Sequence, residues 1–191
     1  MGRWEPNARE RLAEAAMELF VERGYESATA AEIAQRAGLA KSTFFRHFAD
    51  KREVLFGGQE VLNTLIADGI AGAPATATPI EALGAALQAA SVAFGPERRE
   101  WVRTRQDIVA GHSDLREREL LKRAALVEVM TRALRARGVP DPAASLVSEI
   151  GSIAFRNALE RWIAPSAAQP DFAAVAREEL DALKAATAAL S

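Results

Sequence analysis

Leu12, Ala15, Ala16, Leu19 and Phe20 recur at helical spacing, while Glu14, Glu18 and Glu22 fall outside that stripe. One face of this segment is built for a core and the other for water. The same periodicity runs down the chain, punctuated by cap-x-x-Glu helix starts at Asn7 with Glu10, Thr29 with Glu32, Asp50 with Glu53 and Thr78 with Glu81. Pro79 and Pro142 suit first helical positions, and Gly24, Gly38 and Gly138 fall where helices should stop. Arg135 and Arg137 suit the negative end of a helix dipole, and Pro140 forbids continuation. The pattern predicts about nine helices, near 7–23, 29–36, 40–48, 51–70, 79–94, 97–110, 114–137, 142–163 and 171–189. No strand pattern competes, so the expected fold class is all-α.

Two interruptions suggest the domain organisation. Residues 71–79, AGAPATATP, are small and proline-bearing and read as a hinge between an N-terminal module and a larger C-terminal one. Gly57-Gly58 weakens the fourth helix by about 1 kcal/mol per glycine relative to alanine. The expected division is 1–50 and 51–191, with the fourth helix, 51–70, as connector.

Composition narrows the chemistry. The chain has 191 residues, 49% of them hydrophobic and 26% charged, enough for a substantial core. It has no cysteine and only two histidines, so disulfides, thiol nucleophiles and cysteine metal sites are excluded. No glycine-rich phosphate loop or metal-ligand cluster is present, and no enzyme activity, cofactor or metal is expected. His112, Ser113 and Asp114 are adjacent and cannot form a nucleophile–base–orienter array, which needs residues from separate elements. No leader-like or membrane-spanning apolar run is seen, so a cytoplasmic location is expected. The net charge of −2 means that any nucleic-acid binding must be local.

One stretch is local in that sense. Residues 38–51, GLAKSTFFRHFADK, place three phenylalanines among cations and hydroxyls. The preceding TAAEIAQRAG reads as a short capped helix ended by Gly38, and KSTFFRHF as a second short helix, which together form a helix-turn-helix. Phe44 and Phe48, four apart, point into a small core. Phe45 and His47 lie on other faces, with Lys41, Ser42 and Thr43 at the exposed start. Between 36 and 53, Arg36, Lys41, Arg46, Lys51 and Arg52 stand against Asp50 and Glu53, an excess of three positive charges. Such a helix start suits base edges in a major groove, with neighbouring donors on phosphates.

From about Arg9 to Leu55 the chain resembles the TetR family of bacterial transcriptional regulators. The resemblance is carried by Thr29, Ile33-Ala34, Ala37-Gly38-Leu39, Thr43-Phe44-Phe45, His47-Phe48 and Lys51 in register. It implies an all-helical homodimer whose first three helices bind an operator half-site, and whose larger domain dimerises and binds a small effector. By that resemblance Thr29, Thr43, His47 and Lys51 are expected on phosphates, and Lys41 and Ser42 at base edges. Phe45, at the family's usual tyrosine, belongs with the base contacts. Two positions depart from the family pattern. Ala40 replaces a common serine and removes a helix cap, and Phe45 lacks the hydroxyl for a phosphate hydrogen bond.

The C-terminal half offers further candidates. Trp101, Arg105, His112 and Asn157 mix aromatic and polar groups as an effector pocket does. In the last two helices Leu146, Ile150, Ile153, Phe172, Leu180 and Leu183 lie along apolar rows, continued by Leu190, with Gly151 and Ser152 allowing close approach. The resemblance implies that this helix pair forms the dimer interface, and a two-fold dimer reads a palindrome. The expected function is an effector-released regulator, most simply a repressor, with Gly57-Gly58 and the 71–79 stretch transmitting the signal. The rival is a helical adaptor or ligand carrier that retains a helix-turn-helix.

Overall fold

The computed structural model of the chain describes residues 8–165 and 170–189, and within them it is all helical. The ten α-helices among the described residues are α1 (Ala8–Arg23), α2 (Ala30–Arg36), α3 (Lys41–His47), α4 (Lys51–Phe56), α5 (Gln59–Gly72), α6 (Pro79–Ala90), α7 (Arg99–Gly111), α8 (Ser113–Ala136), α9 (Asp141–Ile163) and α10 (Phe172–Ala188). The expected fourth helix is divided by a turn at Gly57-Gly58, where its helix propensity is lowest. The expected helix 79–94 ends at Ala90, and two 3-10 turns, Ser91–Ala93 and Pro96–Arg98, lead into α7. Asn7 and Leu190 lie outside the described residues.

The chain divides into two compact units. The first holds the residues up to Gly58 together with Thr104–Arg116, and the second holds Gln59–Arg103 and the chain from Glu117 onward. The first unit therefore runs past residue 50 to take in α4, and it recruits a segment from the middle of the chain. In it α1 packs on α2, α3 and α4. Its interior is the stripe legible in the sequence, with Leu12, Ala16, Leu19, Phe20, Ile33, Phe44 and Phe48 all buried. Thr104–Arg116 is held by specific contacts. Arg105 Nε donates to the Leu55 carbonyl at 2.7 Å with its guanidinium 4.9 Å from the Phe56 ring centroid, and His112 stands edge-on to Tyr25 at 4.9 Å.

In the second unit α5 packs on α6, α6 on α9 and α10, and α9 on α10. The α5–α6 crossing is set by Gly69, where a Cβ would lie 2.6 Å from the Ala86 Cα. At the other end Phe94, Phe155, Trp162 and Phe172 form an aromatic cluster, with Phe94 stacked on Phe172 at 4.3 Å. The 71–79 stretch lies entirely inside this unit and is no free hinge there. Arg137 Nη1 donates to the carbonyls of Ile70 and Ala73, and its Nη2 donates to that of Pro74. One guanidinium thereby satisfies carbonyls that the end of α5 and the following turn leave without intrahelical partners. At the start of α9 the N-cap is Pro140. Asp141 is the first helical residue and pairs with Arg135 at 2.6 Å.

Candidate nucleic-acid interface

The geometry of α2, the turn and α3 follows from a few local bonds. Thr29 closes a capping box: its hydroxyl oxygen accepts from the Glu32 amide, and its own amide donates back to the Glu32 carboxylate at 3.0 Å. The Thr29 hydroxyl, which donates to the Glu32 carboxylate at 2.8 Å, and then the Thr29 amide hold the Glu32 carboxyl below the usual carboxylate range. α2 ends in a Schellman turn, with Gly38 N donating to Gln35 O at 3.0 Å and Leu39 N to Ala34 O at 2.8 Å. Gly38 sits at φ +67°, which a side chain would strain, and a Cβ there would lie 3.1 Å from Arg11 Nη2. Arg11 in turn donates to the Ala37 carbonyl at 2.5 Å. α3 begins at Ala40 with no side-chain cap, as the missing serine implied.

Phe44 is wholly buried and Phe48 nearly so, which anchors one side of α3. Lys41, Ser42 and Arg46 are exposed, Thr43 is half-buried, and the Phe45 ring is 50% exposed. Lys41, Ser42 and Phe45, the expected base contacts, are thus presented together on one short helix.

The expected phosphate contacts divide. Thr29 is exposed, and its hydroxyl is already engaged with Glu32. His47 is half-buried, and its Nε2 is buried without a hydrogen-bond partner. Burial, then Arg46 and Arg9, hold its pKa below the ordinary histidine value, so the ring is neutral near pH 7. Lys51 is turned inward: Nζ donates to the carbonyls of Tyr25 and Glu26 at 2.8 and 2.9 Å and lies 4.4 Å from the Tyr25 ring centroid. In this structure Lys51 braces the loop before α2. Burial is the main reason that the Tyr25 phenol is pushed up to about 12, so it stays neutral beneath that ammonium.

The local charge excess is redistributed in the same way. Arg36 pairs with Glu18 and Glu22 on α1, at 3.1 and 2.7 Å, and Arg52 pairs with Asp50 at 2.6 Å. Among the described residues Lys41, Arg46 and Lys51 are the cations of the 36–53 stretch without an ion-pair partner, and of these Lys51 is engaged by backbone carbonyls. Sequence reasoning missed Arg9, which donates to Gly57 O at 2.7 Å and lies over the Phe48 ring at 4.9 Å. A signal was available, since arginines in the first turn of a helix oppose its dipole and need another reason to be there.

The four expected pocket residues are not brought together within one unit. Arg105 and His112 belong to the first unit, where Arg105 bonds Leu55 and His112 Nδ1 lies 2.7 Å from the Ile108 carbonyl. Trp101 and Asn157 belong to the second. There Trp101 lies under the Arg98 guanidinium at 5.6 Å, and Asn157 donates to Glu179 at 3.2 Å. A cavity of about 230 Å³ in the second unit is lined instead by Gly84, Leu87 and Gln88 of α6 and Ala173, Arg177 and Leu180 of α10.

Residues 12–56 match the model of the bacterial regulatory proteins of the tetR family. Over these residues the chain is similar to the TetR family. Over 81 residues the chain is 35% identical to the HTH-type transcriptional regulator TcmR of Streptomyces glaucescens, covering 42% of this chain and 36% of that one. Over 46 residues it is 48% identical to the HTH-type transcriptional activator FasR of Mycolicibacterium smegmatis, covering 24% of this chain and 21% of that one. The matched segments thus span well under half the length of either relative. Among solved structures, SmeT of Stenotrophomonas maltophilia in complex with triclosan superposes with a TM-score of 0.60 at 21% identity, covering 93% of this chain and 91% of that one. At that identity the likeness shows a common fold across both units. No helix among the described residues is long and apolar enough to cross a membrane.

Proposed function

We propose that this protein is a DNA-binding transcriptional regulator that acts as a homodimer on a palindromic operator, represses, and is released by a small-molecule effector. The observation that carries the DNA-binding part is α3 itself. Its Phe44 side is locked into the core, while Lys41, Ser42, Phe45 and Arg46 face solvent with their charge uncompensated. Lys41, Ser42 and Phe45 would meet base edges in the major groove, and Thr29, Thr43, His47 and Arg46 would meet phosphates. Lys51 would act chiefly by holding the Tyr25–Glu26 loop, with its remaining N–H free for a phosphate.

Dimerisation through α9 and α10 is supported by Leu146, which is 61% exposed, and by Ile153 and Leu183, which are partly so. Ile150 is buried beneath that row, and Leu180 is covered by the chain's own core. Phe172 is fully buried in the chain's own aromatic cluster and is removed from the interface. Effector release is supported by the shared fold of SmeT, described as a repressor and solved with triclosan. Operation beside the chromosome, in the cytoplasm, follows from the same proposal. An effector would act by favouring a conformation whose recognition helices no longer match the half-site spacing of about 34–36 Å.

The test is a gel-shift titration against a randomised DNA library at two salt concentrations. A palindromic consensus whose affinity falls steeply with salt is expected. Binding without sequence preference, or no binding, would overturn the regulator function and favour a protein-binding adaptor.

A further inference from the structure

Phe45 is a large apolar side chain that the fold leaves half in solvent, on the helix that carries the unpaired Lys41 and Arg46. Its orientation is set from two sides. The buried Phe44 ring meets it edge-on at 5.3 Å and 82°, and the Lys41 ammonium lies 5.9 Å from its centroid. A phenyl ring has no donor or acceptor, so it cannot bond a phosphate or a polar base edge. The apolar group that B-DNA offers in the major groove is the C5-methyl of thymine. Resting on the DNA-binding proposal above, we infer that Phe45 is a specificity-determining residue that reads a thymine methyl in each half-site, with Lys41 and Phe44 fixing the ring.

The experiment starts from an operator selected from the randomised library and replaces each thymine in turn by deoxyuridine, which removes the methyl and leaves base pairing intact. One position per half-site is expected to lose about fourfold in affinity, the equivalent of one buried methyl group. The Phe45→Ala variant should bind the thymine and deoxyuridine operators equally at that position. Phe45 is exposed, so this variant keeps the core, and a circular dichroism melt confirms its fold. If wild-type protein binds its operator with the same affinity after every thymine-to-deoxyuridine exchange, the inference is wrong while the regulator function stands. It is also wrong if Phe45→Ala retains the full discrimination. Failure to select any operator would remove both.

Discussion

Arg36 and Lys41 look interchangeable in the sequence and differ in what they touch. Arg36 is fixed between Glu18 and Glu22, and those hydrogen bonds raise its pKa and lower that of Glu22. Arg46 is unpaired on α3 like Lys41 and is proposed to meet a phosphate. Arg46→Ala should therefore lower the slope of log affinity against log salt by about one, whereas Arg36→Ala should leave it nearly unchanged. Salt-titrated gel shifts of the two variants check this. Equal slopes in both would mean that Arg36 leaves α1 for a phosphate. His47 adds a pH dependence. Its folded pKa lies below the ordinary 6.5, so the unfolded chain takes up a proton first as pH falls. Stability is expected to drop as pH falls through about 6.5, levelling once the folded ring is also protonated. His47→Gln should lose less melting temperature than wild type between about pH 7.5 and about pH 5.5. The identity of these residues was plain in the sequence, and their partners were not. Arg36 and Lys51 reach across 14 and 26 positions of chain, distances that only the packing of α1 against α2 and α4 makes short.

Helix starts and stops are governed by neighbours three or four residues away, which is why most of them could be read directly. Thr29, Asp50 and Thr78 cap as their spacing requires, and Asp171 caps α10. The exceptions have physical causes. Two glycines divide what periodicity joins, and at the start of α9 Asp141 lies one position inside the helix and pairs with Arg135. Ala40 is an open opportunity, because its backbone is extended as an N-cap should be while its side chain supplies nothing. Ala40→Ser should add about 0.5–1 kcal/mol of stability, read from chemical denaturation. Gly38→Ala should cost about 1–2 kcal/mol through its left-handed backbone. A neutral result there would mean that the turn rearranges.

At the scale of the molecule, the all-helical class and the N-terminal helix-turn-helix were legible because they rest on local pattern. The rows expected to line a pocket or a dimer face were not decided by the sequence, since periodicity marks an apolar row without saying what covers it. Leu180 and Phe172 illustrate this: both lie in rows that could face a second chain, and both are covered by their own. Leu146→Glu is therefore the cleaner probe of assembly. It should halve the mass seen by sedimentation equilibrium while leaving the melting profile of the helices in place, and an unchanged dimer would move the interface off α9. The make-up of the first unit has a temporal consequence. Roughly sixty residues separate Gly58 from Arg116, and at about 5–20 residues per second a ribosome needs roughly 3–12 s to add them. During that interval the nascent helices lack Arg105 on Leu55 and His112 on Tyr25. The order of codons thus leaves the first unit unfinished until the middle of the message has been translated.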